Sequence, residues 1–585
     1  MKRTDLLIAV LLGVFLALWL LPFARDGVDP HHDGIMLKPA LDVLSGQALF
    51  RDSFTQYGAL TTYLQVIALS IEPTLLSLRF MTIGAYVVIL CGLYALWRQI
   101  LPRPLAAFSC GLFVLFLPLY EKDWFGAQWI LLPWSSAYAL MFQVIALGAL
   151  CQVIRDVQAA RWSVVVGVAC ACVFWCRQPV GVVTTGCVAA IWLALYFAGW
   201  SPVHTSRRAI ATRMIAGFLL VNALAVASLI VTDALPAWWY QNFTWPAKWA
   251  QHMENELRAG YFLYPVPAAG LLLLLLAILA PSLAARVGFQ PGRRLVTAYY
   301  VGLGALALWQ HYHVLAWLTW RFGGWTIVIP VVALAAGIAC LVLVFWKRSA
   351  PRTTEYYLVA AIAAMAGGAL LQYYPLPDPW HVVWAMAPAL GLVVYVFWRA
   401  SRWPAPVATL VLVAAFAPSI WSKAQMVREA LARPLITLER PAVLRGMRAP
   451  AEAAQRIDRI AALVEQVERQ RPDISTVVIG NDALFACFTH NLTNPTAFYV
   501  TWAGLGEPAD SQQRWNYIHA NRPLMFLHHA RWDAVAEFYR KERYVPLLYF
   551  HEDALEVAVP QEIADALGVT TYGAPKPGAA APPGK

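Results

Sequence analysis

The sequence predicts an α-helical polytopic membrane protein with a small C-terminal α/β extracytoplasmic domain, and three observations predict it. Of the 585 residues, 60% are hydrophobic and only 13% are charged, and the mean hydropathy is +0.56. A water-soluble chain of this size has no core large enough to hide so much apolar surface, whereas lipid covers it. Apolar runs of about 20 residues, the length that crosses a hydrocarbon core, recur between residues 5 and 421. Beyond Trp421 the runs shorten to strand and helix lengths.

About thirteen spans are expected, near residues 5–23, 77–97, 104–119, 132–153, 162–176, 179–199, 214–233, 261–283, 295–317, 325–346, 355–371, 382–399 and 404–421. The first has a charged start but no small-residue cleavage site, and reads as a retained helix rather than a signal peptide. Basic residues fall at every second loop: Lys2/Arg3, Arg98/Arg103, Arg155/Arg161, Arg207/Arg208/Arg213, Arg286/Arg293/Arg294, Lys347/Arg348/Arg352 and Arg399/Arg402. By the positive-inside rule these loops and the N-terminus are cytoplasmic, and an odd number of spans sends the tail outside. Anionic head groups then account for the net charge of +11, and no nucleic-acid partner is expected. The fifth and sixth spans are short and joined at Arg177-Gln178-Pro179, so one is read as tilted or re-entrant. Cys170, Cys172 and Cys176 lack partners at metal spacing and read as helix-packing residues, while Cys487 stands alone in the tail.

The domain division follows: 1–421 in the membrane, with the outer loop 24–76 near its start; 422–571 as a small α/β domain; and 572–585 as a Gly/Ala/Pro-rich disordered tail. Within the α/β domain an amphipathic helix is expected over 450–470 and strands over 474–479, 523–527 and 544–550, with helical stretches at 482–488 and 532–541.

The unusual polar chemistry falls on the loops assigned to the outer side. Loop 24–76 carries His31-His32-Asp33-Gly34, pinned close to the first span. A carboxylate at Asp33 suits abstraction of a hydroxyl proton, with His32 to orient it, share the proton or bind a leaving phosphate; Asp33 also reads as the cap of a following helix. A short amphipathic helix around Leu41, ended by Gly46, is expected to lie along the interface. Asp52 reads as the partner of a basic neighbour, and Tyr57-Gly58 as a packing turn with Tyr57 a candidate substrate contact. Glu121 and Asp123 are candidate substrate contacts and weak candidate ligands for a divalent cation, the one cofactor the sequence suggests. Arg177, beside Gln178, suits a phosphate or phosphodiester but also reads as a snorkelling helix-end arginine, and Arg321 shares that ambiguity. Three prolines in 372–381 place Asp378 and His381 at the start of the next span, for a phosphate contact or a helix cap.

The first-loop pattern, from His31-His32-Asp33-Gly34 through Arg51-Asp52 to Gln56-Tyr57-Gly58, resembles the first extracytoplasmic loop of C-type (GT-C superfamily) glycosyltransferases. These membrane enzymes use polyprenyl-phosphate sugars and include protein O-mannosyltransferase and aminoarabinose-transferase relatives. The segments around Arg177-Gln178 and Asp378–His381 are similar to later motifs of bacterial members. The resemblance implies a bacterial inner-membrane enzyme with its C-terminal domain periplasmic. It would transfer a sugar from a polyprenyl-phosphate donor to a glycan, lipid or protein acceptor. Asp33 matches the family's essential acidic residue, with Glu121/Asp123 as a second acidic motif, Arg177 with His381 or Arg321 on the leaving phosphate, and Gln178, Asp378 and Tyr57 as further contacts. The His-His pair before Asp33 departs from the family pattern and leaves open whether His32 shares the base role. A transporter or flippase, or a non-catalytic glycan-assembly partner, is the alternative reading, though polar groups crowded on one face favour interfacial chemistry.

Overall fold

The computed structural model describes residues 3–117, 119, 130–197, 200, 202–252, 353–369, 379–499, 508–528, 538–550 and 555–568. Six described helices are long and apolar enough to cross a membrane: α1 (Arg3–Arg25), α4 (Leu75–Trp97), α6 (Ser135–Ile154), α7 (Ala159–Cys176), α8 (Gln178–Phe197) and α9 (Arg207–Val231). A seventh results if the bent pair 405–417 and 419–432 counts as one span. Shorter apolar helices are α3 (Ala59–Ile71) and α5 (Arg103–Phe116), and apolar stretches of this kind also lie within Thr354–Ala369 and Pro379–Ser401. The spans expected at 261–283, 295–317 and 325–346 lie outside the described residues. α1 packs on α4, α4 on α6, α6 on α7, and α7 on α8 and α9. Gly167 and Gly217 bring α7 and α9 together backbone to backbone, since a Cβ at either would overlap a carbonyl of the other helix.

Loop 24–76 differs from its expected form. Its first helix, α2, runs His32–Leu44, nine residues upstream of the predicted start at Leu41, and Gly46 follows at φ +93°. It presents no open face over most of its length: every residue from Asp33 to Asp42 is buried. The cause is the tail, which covers the side that would otherwise meet water, so the polar residues of α2 pair inward. α3 then takes up residues 59–71, which were expected as loop.

Among the described residues the tail holds two sheets. β1 (Ile436–Thr437) and β2 (Arg448–Ala449) form an antiparallel pair, followed by the amphipathic helix Ala451–Gln470. A four-stranded sheet has the order β3-β4-β6-β5, with β3 (Thr476–Ile479) parallel to β4 (Leu524–His528), and β6 (Leu555–Pro560) antiparallel to both β4 and β5 (Tyr544–Phe550). The strand between β4 and β5 was not foreseen: Glu556 interrupts its apolar alternation and makes it read as surface, yet Glu556 is buried. Residues 483–487, expected as α-helix, form a 3-10 turn, and α2 rests on it.

Candidate functional site

Everything at the N-terminal end of α2 is built around one tight turn. The Asp29 carboxylate accepts from the backbone N–H groups of His31 (3.0 Å) and His32 (2.9 Å) through Oδ1, and Oδ2 lies 3.0 Å from His32 Nδ1. The Asp29 N–H in turn donates to Asp33 Oδ2 at 2.8 Å. Asp29 therefore satisfies the orphan N–H groups at the start of α2, the role expected for Asp33, which sits inside the first turn and points back.

Asp33 is fully buried and ion-paired. Arg79, one turn into α4, places Nη2 2.6 Å from Asp33 Oδ2, with both side chains 0% exposed. Arg79 Nη1 also donates to the carbonyls of Asp26 (3.0 Å) and Ala24 (3.3 Å). Asp33 Oδ1 makes no hydrogen bond among the described residues. Burial pushes the Asp33 carboxyl above the ordinary carboxylate range, against the pull of the Arg79 guanidinium. Of the two residues expected to act in catalysis, His32 presents surface, its side chain 19% exposed, and Asp33 presents none.

The first turn of α6 joins this turn to the second arginine motif. The His32 ring lies 5.3 Å from that of Trp134, which precedes α6. Arg177 Nη1 donates to Ser136 Oγ in the same turn. Gln65 Nε2 donates to the Pro133 carbonyl at 3.0 Å. Trp384 of helix Pro379–Ser401 sits 5.1 Å from Trp134 and donates to Tyr86 Oη at 3.0 Å. His32, Arg177 and the opening turns of that helix thus meet around residues 133–136.

Gln178 Nε2 donates to Asn242 Oδ1 at 2.5 Å, beside Arg177. The Tyr57 hydroxyl accepts from Gln56 Nε2 at 2.6 Å. The adjacent Gly58 packs as the turn was expected to: its N–H donates to the Cys176 carbonyl (3.1 Å), and a Cβ there would overlap the Trp175 carbonyl. Asp52 pairs with Arg51 at 2.8 Å. Glu121, Asp123, Arg321 and Asp378 lie outside the described residues, as does the His381 side chain. Among the described residues no three His, Cys, Asp or Glu side chains are grouped to hold a metal ion.

The tail grips the first loop at several places. Arg448 Nη2 pairs with Asp26 Oδ1 at 2.5 Å. The Leu484 N–H donates to the Pro30 carbonyl at 3.0 Å, and His31 Nδ1 lies 2.8 Å from the Asn481 carbonyl oxygen. Gly34 is pressed so close that a Cβ would overlap the Leu484 backbone nitrogen. Further along, the buried Lys38–Asp42 pair meets Asn494, whose Oδ1 accepts from Lys38 Nζ (2.7 Å) and whose Nδ2 donates to Asp42 Oδ2 (2.9 Å). The Phe54 N–H donates to the Ala497 carbonyl at 2.8 Å.

Sequence reasoning passed over Asp29 and Arg79. Asp29 had a signal in its Asp-Pro turn three residues before a helix start. Arg79 had a stronger one: an arginine inside an apolar span is expensive unless it meets a buried acid.

No family model matches the chain, and no curated protein matches it. Among solved structures, 94% of it is similar to 73% of the Archaeoglobus fulgidus oligosaccharyltransferase in complex with Zn and sulfate, at 14% identity and a TM-score of 0.47. It is similar over 96% of its length to 75% of the oligosaccharyltransferase AglB of that organism in complex with an inhibitory peptide and a dolichol-phosphate, at 13% identity and a TM-score of 0.46. Over 96% of its length it is also similar to 98% of ArnT from Cupriavidus metallidurans bound to undecaprenyl phosphate, at 13% identity and a TM-score of 0.43.

Proposed function

We propose that the chain is a glycosyltransferase that moves a sugar from a polyprenyl-phosphate donor to a hydroxyl acceptor on a glycan, lipid or protein, at the outer face of a bacterial inner membrane. The observation that carries this reading is the meeting of His32 and Arg177 on one helix turn, through Trp134 and Ser136. It pairs an imidazole backed by a buried carboxylate with a guanidinium suited to phosphate. The arrangement supports acceptor activation and leaving-group stabilisation within one site.

In this reading the acceptor hydroxyl attacks the anomeric carbon as the bond from that carbon to the phosphate oxygen breaks, and the electron pair leaves with the polyprenyl phosphate. The hydroxyl proton passes to His32, and Asp29 stabilises the charge that arrives on the ring. Asp33, expected as the base, takes a different part: fully buried and paired to Arg79, it holds the turn while His32 meets the acceptor. Arg177 neutralises the departing phosphate. Gln178 and Tyr57 line the donor, and Glu121, Asp123, Arg321, Asp378 and His381 complete the proposal as donor contacts. A divalent cation at Glu121/Asp123 is kept as a candidate, and no step is routed through it. The tail, residues 422–571, is a periplasmic domain in this reading.

The test is to incubate purified protein in lipid nanodiscs with a panel of radiolabelled polyprenyl-phosphate sugars. Transfer or donor hydrolysis by the wild type, lost by about 10²-fold or more in His32→Ala and in Arg177→Ala, is the expected result. Donor turnover that persists unchanged in both variants would sink the assignment.

A further inference from the structure

The turn that meets the start of α2 is secured from inside the tail. His528, the last residue of β4, holds Nδ1 2.7 Å from Asp482 Oδ2, with the side chains 7% and 4% exposed. Gly480 leads from β3 into this turn at φ +135°, a conformation L side chains rarely adopt. A Cβ there would sit 3.1 Å from the Cβ of His528, so β4 and the turn are in close contact. Two ionisable groups are expensive to bury and contribute little apolar packing. What this pair does secure is the turn, and the turn reaches the first loop through the Asn481 carbonyl on His31 and the Leu484 N–H on Pro30.

The consequence for the site is local. His31 and His32 are adjacent, their rings 4.6 Å apart and edge to face. Asp29 accepts from both of their N–H groups. Displacing the turn would remove one wall from His31 and let the Asp29–Asp33 turn open. The far end of α2 is held separately by Asn494 on Lys38 and Asp42, and the loop's start by Arg448 on Asp26. Those anchors remain when the turn is displaced.

We propose that Asp482 and His528 are positioning residues for the transfer site: they hold the turn 480–484 against Pro30 and His31 and thereby keep His32 aligned on Asp29. This rests on the reading of His32 as the proton acceptor. The tail then belongs to the working site and is more than an appended domain.

The experiment is amide hydrogen exchange on the full chain in nanodiscs, compared with turnover of whichever donor the wild type uses. In His528→Ala, the amides of His31, His32, Asp33 and Leu484 are expected to exchange about tenfold faster, while Gly27, bonded to the Arg448 carbonyl, keeps its wild-type rate. His528→Asn, whose amide nitrogen takes the place of Nδ1, restores protection. Turnover per folded molecule in His528→Ala falls about tenfold in kcat with KM unchanged and is regained in His528→Asn, whereas a mere loss of folded protein leaves the rate per folded molecule at its wild-type value. If His528→Ala does not fold, Asp482→Asn reads the same amides. Unaltered exchange at His31–Asp33 overturns the proposal, and so does faster exchange with wild-type kcat. Faster exchange in His528→Ala, when the wild type turns over no donor, places the failure in the glycosyltransferase reading and supports the mechanical coupling.

Discussion

Replacing Arg79 by Met tests whether the site is organised around a buried ion pair. The guanidinium and the Asp33 carboxylate are both 0% exposed, with Nη2 2.6 Å from Oδ2. For charge centres about 4 Å apart at an effective dielectric of about 20, the attraction is about 4 kcal/mol, within the range of about 3–5 kcal/mol for stranding one partner of a buried pair. Arg79→Met also removes the donors to Ala24 and Asp26, each about 1 kcal/mol. The stranded Asp33 has an escape, which is to take up a proton. Its folded-state pKa then stands further above its unfolded value, so stability is intact below the unfolded pKa and is lost as pH rises toward the folded one. Protonation caps the charge cost at about 1.4 kcal/mol per pH unit above about 3.9, or about 1.5 kcal/mol at pH 5 and 4 kcal/mol at pH 7. The assay is unfolding in mixed micelles at pH 5 and pH 7 for Arg79→Met, Asp33→Asn and the double variant. The double variant is expected to lose about 3 kcal/mol less than the sum of the singles at pH 7. Additivity within about 0.5 kcal/mol, or a deficit in Arg79→Met that is the same at both pH values, would refute the reasoning.

Two further outcomes are expected. Gly58→Ala drives a methyl into the Trp175 carbonyl and pushes the start of α3 away from the turn bearing Arg177; unfolding measurements should show a loss of about 1–3 kcal/mol, and a wild-type midpoint would contradict the packing described. In the tail, burial pushes Glu556 up to about 7. A carboxyl raised in this way supports the fold below its unfolded pKa and withdraws that support as pH rises through about 7. The unfolding midpoint is expected to fall between pH 5 and pH 8, with Glu556→Gln flattening the profile and adding up to about 3 kcal/mol at pH 8. An unchanged pH slope in that variant removes Glu556 as the cause.

Much of the helical framework was legible because lipid imposes a simple rule. A span has to satisfy its own backbone and present apolar side chains, so length and hydropathy suffice to find α1, α4, α6, α7, α8 and α9. The helix 451–470 and the strands at 476–479, 524–528 and 544–550 were legible for a similar reason, a local periodicity with one buried face. The loop was harder. Its amphipathic pattern suggested a helix at a membrane surface, but the same pattern serves a helix whose polar face is covered by another part of the chain. Lys38 and Asp42 illustrate this: four residues apart, they look like an exposed pair, and Asn494, some 450 positions later, makes them a buried one.

By itself the sequence singled out the candidate site residues: a histidine-aspartate cluster after the first span and an arginine between two later ones. Charged and imidazole side chains this close to apolar spans stand out without any geometry. Only the tertiary structure decided which of them is buried and which keeps some exposure. Asp33 and His32 are neighbours in sequence, yet Arg79 from α4 takes one into the interior while Asp29 orients the other, with part of its side chain left exposed. Burial and ion pairing depend on what arrives from distant parts of the chain, and no local pattern records that α4 and the turn 480–484 come to rest on the same five residues.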